Sequence, residues 1–371
     1  MNIVQWAFPY TPSVGGREVF IERLSEGLVS SGDHVMLIAP AIGPTDPLVR
    51  VSTQSQLTTV RVNLRPREDL ELQGTWNAAG EELRRLLVDF EAQVLHFHRP
   101  DGINVFLLKK LLADSALPAV FTAHGHFEAD TPSKTERIRS VLSHCRAVVS
   151  ISPGIHRQLK PLLEGKEVNL RLIVNGVPDR PRSSGHREGP DVFAFGRFAE
   201  EKGFHVLIDA LGDVSKNQRG LRAVIAGSGP QEDALRAQAH RLGLSHHIDF
   251  PGWLSQKEIQ GMLDRARMVV IPSIWEEPFG LVVAEAMLAG APIIATSSGF
   301  LAEAIGHSET GFLVPPGDSR ALAERMDHLL NLSAGETKAL SIRAHQEAAK
   351  RFSEQRWLRE YRQLFHELAT K

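Results

Sequence analysis

The chain has 371 residues, a formal net charge of −2, 42% hydrophobic and 23% charged residues. That length is too great for one ordinary core and suits two domains, and the balance is that of a globular protein. A near-neutral charge argues against general nucleic-acid binding, which needs a basic footprint, and a single cysteine, Cys145, excludes an intrachain disulfide. The first residues, MNIVQWAFP, carry no basic region and no long apolar run, so no signal peptide is expected. No stretch of about 18 uncharged apolar residues occurs, so no membrane span is expected either. A cytoplasmic enzyme is the expectation, with the inner face of the membrane as a further place it could work.

In chain order, short apolar runs alternate with helical patterns. Ile3–Ala7, Val35–Ala39, Val94–Phe97, Ala119–Thr122, Val148–Ile151 and Leu172–Val174 read as buried strands, with helical segments such as Glu18–Ser30 and Glu81–Phe90 between them. Such alternation predicts a parallel sheet with helices on both faces. The stretch from Val177 to Asp191 then holds three prolines and two glycines and offers little to bury, which reads as an interdomain linker. The strand pattern restarts at Val192–Phe195, Ala223–Ala226, His247–Phe250, Met268–Ile271, Pro292–Ala295 and Gly311–Val314. Trp357, Leu358, Tyr361, Leu364, Phe365 and Leu368 then recur at helical spacing in a last helix, Glu354 to Ala369. The predicted division is a first Rossmann-like domain over 1–178, a linker over 179–191, a second Rossmann-like domain over 192–352 and a C-terminal helix over 353–371 returning to the first domain. Ligands of two such domains are expected at the carboxyl ends of their strands, in the cleft that they enclose.

The richest stretch for chemistry runs from Glu277 to Glu285. Leu281 to Ala289 is apolar except for Glu285. A helix that is apolar all round is normally buried, and a lone carboxylate in it needs a polar partner. A pair of ligand hydroxyls would serve, and so would a structural Arg or Lys. Glu277 reads equally as a ligand-holding acid, as a solvated charge beside Glu276, or as an acid favoured by the helix dipole. Gly15-Gly16 opens the helix after the first strand, where backbone amides can approach an anion, or forms an ordinary flexible turn. Arg197 and Lys202, in GRFAEEKG after the strand Val192–Phe195, suit a diphosphate clamp. Pairing with Glu200 and Glu201 is the plainer alternative. Gly227-Ser228-Gly229-Pro230 is either a close-approach loop or a strand-to-helix turn. His124, just past a strand, can donate to a sugar hydroxyl or assist proton movement, and is otherwise structural. His96 and His98, like His124 and His126, form His-x-His patterns that no carboxylate or cysteine set completes as a metal site. No Asp-x-Asp occurs anywhere.

On these motifs the chain resembles family 4 retaining glycosyltransferases of the GT-B fold, the group 1 glycosyl transferases. The resemblance covers nearly the whole chain and is strongest in PSIWEEPFGLVVAEAMLAGAPIIAT, SSGFLAEAI and TGFLVPPGD. The pieces SVGGREVF, FTAHG, IVNGV, GRFAEEKG, IAGSGP and FPGWL come in the family's order. It implies an α/β fold of two Rossmann-like domains facing each other. It also implies that Glu285 holds the donor ribose, Glu277 the transferred sugar, and the amides near Phe279, Gly280 and Leu281 the sugar or diphosphate. Arg197 and Lys202 would neutralise the leaving diphosphate, with Gly15, Gly16 and Gly227 as close-approach glycines and His124 beside the sugar. Asn175 reads as structural. The implied reaction is hexosyl transfer from a nucleoside-diphosphate sugar, a UDP-sugar being favoured and GDP- or ADP-sugars allowed. The acceptor is a hydroxyl on a saccharide, glycolipid or small molecule, and neither a metal nor another cofactor takes part. A nucleotide-sugar epimerase or hydrolase of the same fold and a non-catalytic sugar-nucleotide-binding subunit are the alternatives. Two departures stand out: Ser298-Gly299 where Gly-Gly is frequent, and Pro278 where glycine is common. Acceptor contacts are expected from loops near Thr11–Val14, Arg61–Gln73 and Arg99–Asn104. Arg61, Arg65 and Arg67 would face a phosphorylated acceptor or a membrane surface, or form a solvated basic face.

Overall fold

The computed structural model describes residues 1–8, 15–43, 45–64, 72–98, 111, 116–126, 131–183 and 187–370, leaving aside the side chains of 72–76, 132, 134 and 137. Two compact units emerge, Met1–Asn175 with Arg356–Lys371, and Gly176–Gln355.

The first unit contains β1 (Asn2–Trp6), α1 (Gly16–Ser30), β2 (His34–Pro40), β3 (Val49–Gln54), β4 (Leu57–Val62), α2 (Leu72–Asp89), β5 (Val94–Phe97), β6 (Ala119–Ala123), α3 (Pro132–Leu142), β7 (Ala147–Ser150), α4 (Pro153–Leu159) and β8 (Asn169–Leu172). Its sheet runs β3-β4-β2-β1-β5-β6-β7-β8. Strands β5, β6 and β7 are buried along their whole length, as strands covered on both faces should be, and they read as continuous apolar runs for that reason. The β3–β4 hairpin is antiparallel, pairing Val49 with Val62 and Gln54 with Leu57. Sequence reading passes over it because VRVSTQ is polar and almost wholly exposed at the sheet edge. The last strand lies at Asn169–Leu172 rather than at the expected Leu172–Val174; Ile173 is buried just beyond it.

Helix α1 places Phe20, Ile21, Leu24 and Leu28 on one buried face. The C-terminal helix α12 (Glu354–Ala369) buries Trp357, Tyr361, Leu364 and Phe365 into the same apolar cluster as Ile3, Phe20, Val94 and Val120. Each large side chain so buried contributes about 1.5–3 kcal/mol, enough to fix Arg356–Lys371 on the first unit. The two helices touch closely: a Cβ on Gly27 would stand 3.0 Å from the Leu358 side chain.

The second unit contains β9 (Val192–Phe195), α5 (Phe204–Asn217), β10 (Ala223–Ala226), α6 (Glu232–Arg241), β11 (Ile248–Asp249), α7 (Gln256–Arg265), β12 (Met268–Ile271), α8 (Leu281–Leu288), β13 (Ile293–Thr296), α9 (Phe300–Ala304), β14 (Phe312–Val314), α10 (Ser319–Leu330) and α11 (Ala334–Arg351). All its strands pair in parallel, in the order β11-β10-β9-β12-β13-β14. The chain winds outward from β9 in one direction, then returns to β9's other side at β12. Strands β9 and β12 therefore form the topological switch point, where ligands of open α/β sheets bind.

Residues read from composition as a linker belong to this unit and are anchored on it. The Arg187 guanidinium donates to the carbonyls of Leu263 and Ala266, both at 2.9 Å, and of Gly290 at 2.6 Å. Arg180 pairs with Asp264 at 2.5 Å. The segment is held by polar contacts instead of apolar burial, Arg187 taking free carbonyls at the carboxyl ends of α7 and α8 and Arg180 a side-chain carboxylate.

Candidate active site

Three loops at the switch point pack backbone against backbone. After β9, the chain makes a short turn of 3-10 helix over Glu200–Lys202 before α5. After β12 comes Pro272 to Gly280, and the Ile274 N–H donates to the Glu201 carbonyl at 2.9 Å. After β13 comes Ser297 to Gly299, and the Phe300 N–H donates to the Glu277 carbonyl at 2.9 Å. Gly299 has φ 52°, and a Cβ there would come to 2.5 Å from the backbone N and O of Glu277. The Ser298 hydroxyl donates to the Trp275 carbonyl. The Ser298-Gly299 pair thus supports the Glu277 loop directly, and its glycine is required by that close approach.

This packing brings Lys202 and Glu277 together, with Nζ 2.6 Å from Oε1. Glu277 is 5% exposed, so it is no solvated loop charge. Its Oε1 also accepts from the Ser273 hydroxyl at 2.5 Å. Both bonds fall on one carboxylate oxygen, and among the described residues no donor reaches Oε2, whose lone pairs can take one. The Lys202 ammonium lies 5.3 Å from the centre of the half-exposed Trp275 ring and has two further hydrogens to give. Lys202 therefore pairs neither with Glu200 nor with Glu201. Arg197 does take the plainer role: it is exposed and pairs with Glu201 at 2.6 Å.

Glu285 lies on α8 but is not buried among apolar residues. It shares a partly exposed face with Leu281 and Val282, and its Oε1 accepts from the Gln256 amide at 3.3 Å. Gly280 begins that helix at φ 72° with no side-chain cap, so its first amides are not taken by a capping side chain. Phe279 is buried, its ring stacked 4.6 Å from that of Phe300; only its backbone is suited to a ligand. Gly227 has a structural reason to be glycine. At φ 150°, a Cβ would overlap the Gly196 carbonyl oxygen and stand 2.9 Å from the Phe198 ring.

In the first unit, Gly15 caps α1 in extended conformation, again without a side-chain cap, and Gly16 is the helix's first residue. The Glu18 carboxylate curls back toward that helix start, 2.8 Å from where a Gly15 Cβ would be, and pairs with Arg17 at 2.8 Å. His124 follows β6, and its Nε2 is 3.0 Å from Nδ1 of His98. His98 Nε2 is in turn 2.9 Å from the Gln5 side-chain oxygen. Beside them His96 Nε2 meets the Thr122 hydroxyl at 2.8 Å, and that hydroxyl meets Tyr361 at 2.9 Å. Burial holds His98 and His124 well below the usual histidine range, helped by the nearby Arg17 charge, and pushes His96 down to about 3. Gln5 and Ser273 escape sequence reading, and His98 enters it only as part of a His-x-His pattern. The only available signal is their position, two of them at strand ends and Ser273 one turn before Glu277. Among the described residues no group of three or more His, Cys, Asp or Glu is arranged around a metal position. Arg61 donates to the Pro40 carbonyl at 3.1 Å. Arg65, Arg67, Thr11–Val14 and Arg99–Asn104 lie outside the described residues.

The two halves match different family models, "Glycosyltransferase Family 4" over residues 14–180 and "Glycosyl transferases group 1" over 178–351. The phosphatidyl-myo-inositol mannosyltransferase of Mycobacterium leprae is 29% identical over 87% of this chain and 86% of its own. The glycogen synthase of Mycobacterium tuberculosis is 27% identical over 89% and 86%. Among solved structures, sucrose-phosphate synthase from Thermosynechococcus elongatus superposes with a TM-score of 0.79 at 21% identity, over 99% of this chain and 98% of its own. HepE of Anabaena, in complex with UDP-glucose, gives 0.79 at 19% identity over 99% and 100%. The fold is that of the two-domain GT-B glycosyltransferases. With both halves matched across residues 14–351, the chain belongs to glycosyltransferase family 4.

Proposed function

We propose that this enzyme transfers a hexosyl group from a nucleoside-diphosphate sugar, a UDP-sugar by preference, to an acceptor hydroxyl, with retention of anomeric configuration and without a metal. The observation that carries this reading is the Lys202–Glu277 pair at the β9/β12 switch point. Lys202 has hydrogens left for a leaving diphosphate, and Glu277 Oε2 is left for hydroxyls of the transferred sugar. The uncapped start of α8 adds its positive dipole end, and Glu285 on the same helix takes the ribose hydroxyls. Stabilising charge on the departing diphosphate is the main catalytic contribution in this scheme. Arg197 joins it by exchanging its exposed partner Glu201 for phosphate. In the first unit, Gly15-Gly16 and His124 meet anionic and hydroxyl groups respectively.

Among the described side chains around Lys202, the Ser273 hydroxyl is engaged with Glu277 and the Glu277 carboxylate with Lys202, which leaves neither dedicated to covalent attack. A same-face route, in which the leaving phosphate helps remove the acceptor proton, accords with that. The uridine preference draws support from HepE, solved with UDP-glucose. The acceptor class draws support from the relative named as a phosphatidyl-myo-inositol mannosyltransferase. No helix among the described residues is long and apolar enough to cross a membrane, so action on a lipid acceptor would take place by peripheral contact. The test is turnover of UDP-, GDP- and ADP-sugars with a panel of saccharide and lipid acceptors, with and without a chelator, followed by anomeric NMR of the product. An inverted product overturns retention. Donor consumption that does not depend on acceptor points instead to a hydrolase or epimerase.

A further inference from the structure

The histidine opposite the end of β6 is not an isolated ring; it ends a chain of hydrogen bonds whose direction can be counted. Gln5, in β1, is fully buried, and its side-chain oxygen can only accept. His98 Nε2, 2.9 Å away, must then carry a proton. Both histidines are neutral at physiological pH, because burial and the Arg17 charge disfavour their cations. A neutral ring holds one proton, so His98 Nδ1 is bare. It lies 3.0 Å from His124 Nε2, and two bare nitrogens cannot bond. His124 must therefore supply the proton from Nε2, which leaves its own Nδ1 bare. That nitrogen makes no hydrogen bond to any described residue, and the ring is partly exposed. Phe20 fixes the plane of the ring edge-on, with centroids 4.6 Å apart.

We propose that Gln5 and His98 are positioning residues that lock the proton of His124 on Nε2 and so present Nδ1 as a hydrogen-bond acceptor to a ligand hydroxyl. This rests on the reading that the strand ends of the first unit meet a hydroxyl-bearing ligand. It sharpens that reading, because a bare nitrogen can receive a hydroxyl proton but repels a phosphate or carboxylate oxygen. His124 is thereby assigned to a sugar hydroxyl and excluded from the diphosphate. The opposite arrangement, with the Gln5 amide turned end for end, would protonate Nδ1 and make His124 a donor.

The full-length chain labelled with 15N-histidine tests this without substrate, since two-bond nitrogen–proton correlation separates bare from protonated ring nitrogens. His124→Gln identifies the His124 signals by their loss. The expected wild-type pattern near neutral pH is a protonated Nε2 and a bare Nδ1 on His124. In Gln5→Leu that single pattern gives way to a mixture of tautomers. A protonated Nδ1 or an imidazolium in the wild type overturns the proposal, and so does an unchanged pattern in a folded Gln5→Leu variant. If that variant does not fold, the wild-type spectrum still decides. Failure of sugar transfer would leave the spectrum untouched, so the two readings fail separately.

Discussion

Lys202 Nζ and Glu277 Oε1 stand 2.6 Å apart although 75 positions separate them in the chain. The contact exists because β9 and β12 are neighbours in the sheet and the loops beyond them share backbone hydrogen bonds. In the proposed reaction, diphosphate neutralisation and sugar holding would fall to the two halves of this one ion pair.

Removing either half should therefore affect folding as well as turnover. Lys202→Ala leaves a buried carboxylate with Ser273 as its remaining side-chain partner among the described residues, costing about 1–3 kcal/mol, toward the low end because the lysine is partly exposed. Turnover should fall about 10²–10³-fold, the usual effect of losing a transition-state charge stabiliser. Glu277→Gln in the Lys202→Ala background should recover part of the stability but none of the activity. Urea unfolding and initial rates on the four proteins of the cycle check both statements. Additive stabilities would show that the pair is not coupled.

Gly299→Ala should reach the site through its support. The added methyl meets the Glu277 backbone, and φ is positive there, so the strain is on the order of 1–3 kcal/mol. The Glu277 loop has to move to relieve it. A loss of turnover larger than that of Gly317→Ala, whose added methyl meets no atom within 4 Å at a φ of 76° that is also positive, distinguishes displacement of Glu277 from plain backbone strain.

Glu285→Ala should weaken nucleotide binding with little loss of stability. The residue is partly exposed, on the outer face of α8. Loss of charged hydrogen bonds to ribose hydroxyls costs about 1.5–3 kcal/mol, or roughly 10–150-fold in Kd. Calorimetric titration with UDP measures it. An unchanged affinity alongside normal folding would remove Glu285 from the ribose site.

Acid should destabilise the first unit through its buried histidines. His96, His98 and His124 all have folded-state pKa values below the ordinary 6.5, that of His96 reaching about 3. Above 6.5 both folded and unfolded states are neutral, and this stability is fully present. As pH falls through 6.5 the unfolded chain takes up protons that the folded chain refuses, and each group subtracts up to about 1.4 kcal/mol per pH unit. For His96 the loss continues down to about pH 3. Urea midpoints between neutral pH and pH 5 should fall steeply in the wild type and less steeply in His96→Gln. Equal slopes would contradict the burial argument.

Tyr361→Phe should cost about 0.5–1.5 kcal/mol, the net worth of its hydrogen bond to Thr122, while leaving the aromatic packing of α12 in place. Thermal unfolding of the variant gives the difference. The sugar-transfer constants should stay at wild-type values, since Tyr361 is fully buried among His96, Phe20 and Phe365.

What the sequence determined by itself was local and periodic. Burial on both faces makes a parallel strand a continuous apolar run, so Val94–Phe97, Val192–Phe195, Ala223–Ala226 and Met268–Ile271 could be read directly and appear unchanged. The helical spacing from Trp357 to Phe365 was legible for the same reason, and so was the family, from Glu277, Glu285 and their neighbours. The exposed edge strand β3 left no such pattern, because it buries too little to need one. Nor could composition show that the polar segment containing Arg187 is anchored rather than loose, since its partners are backbone carbonyls, which no sequence spells out. Only the tertiary structure decided which charges meet. Lys202 might have paired with Glu200 or Glu201 nearby, and strand order gave it Glu277 instead, leaving Arg197 with Glu201. Gln5 meets His98 across 93 positions because β1 and β5 are adjacent. Periodicity records how much each residue is buried, while partners are chosen by the order in which strands lie side by side.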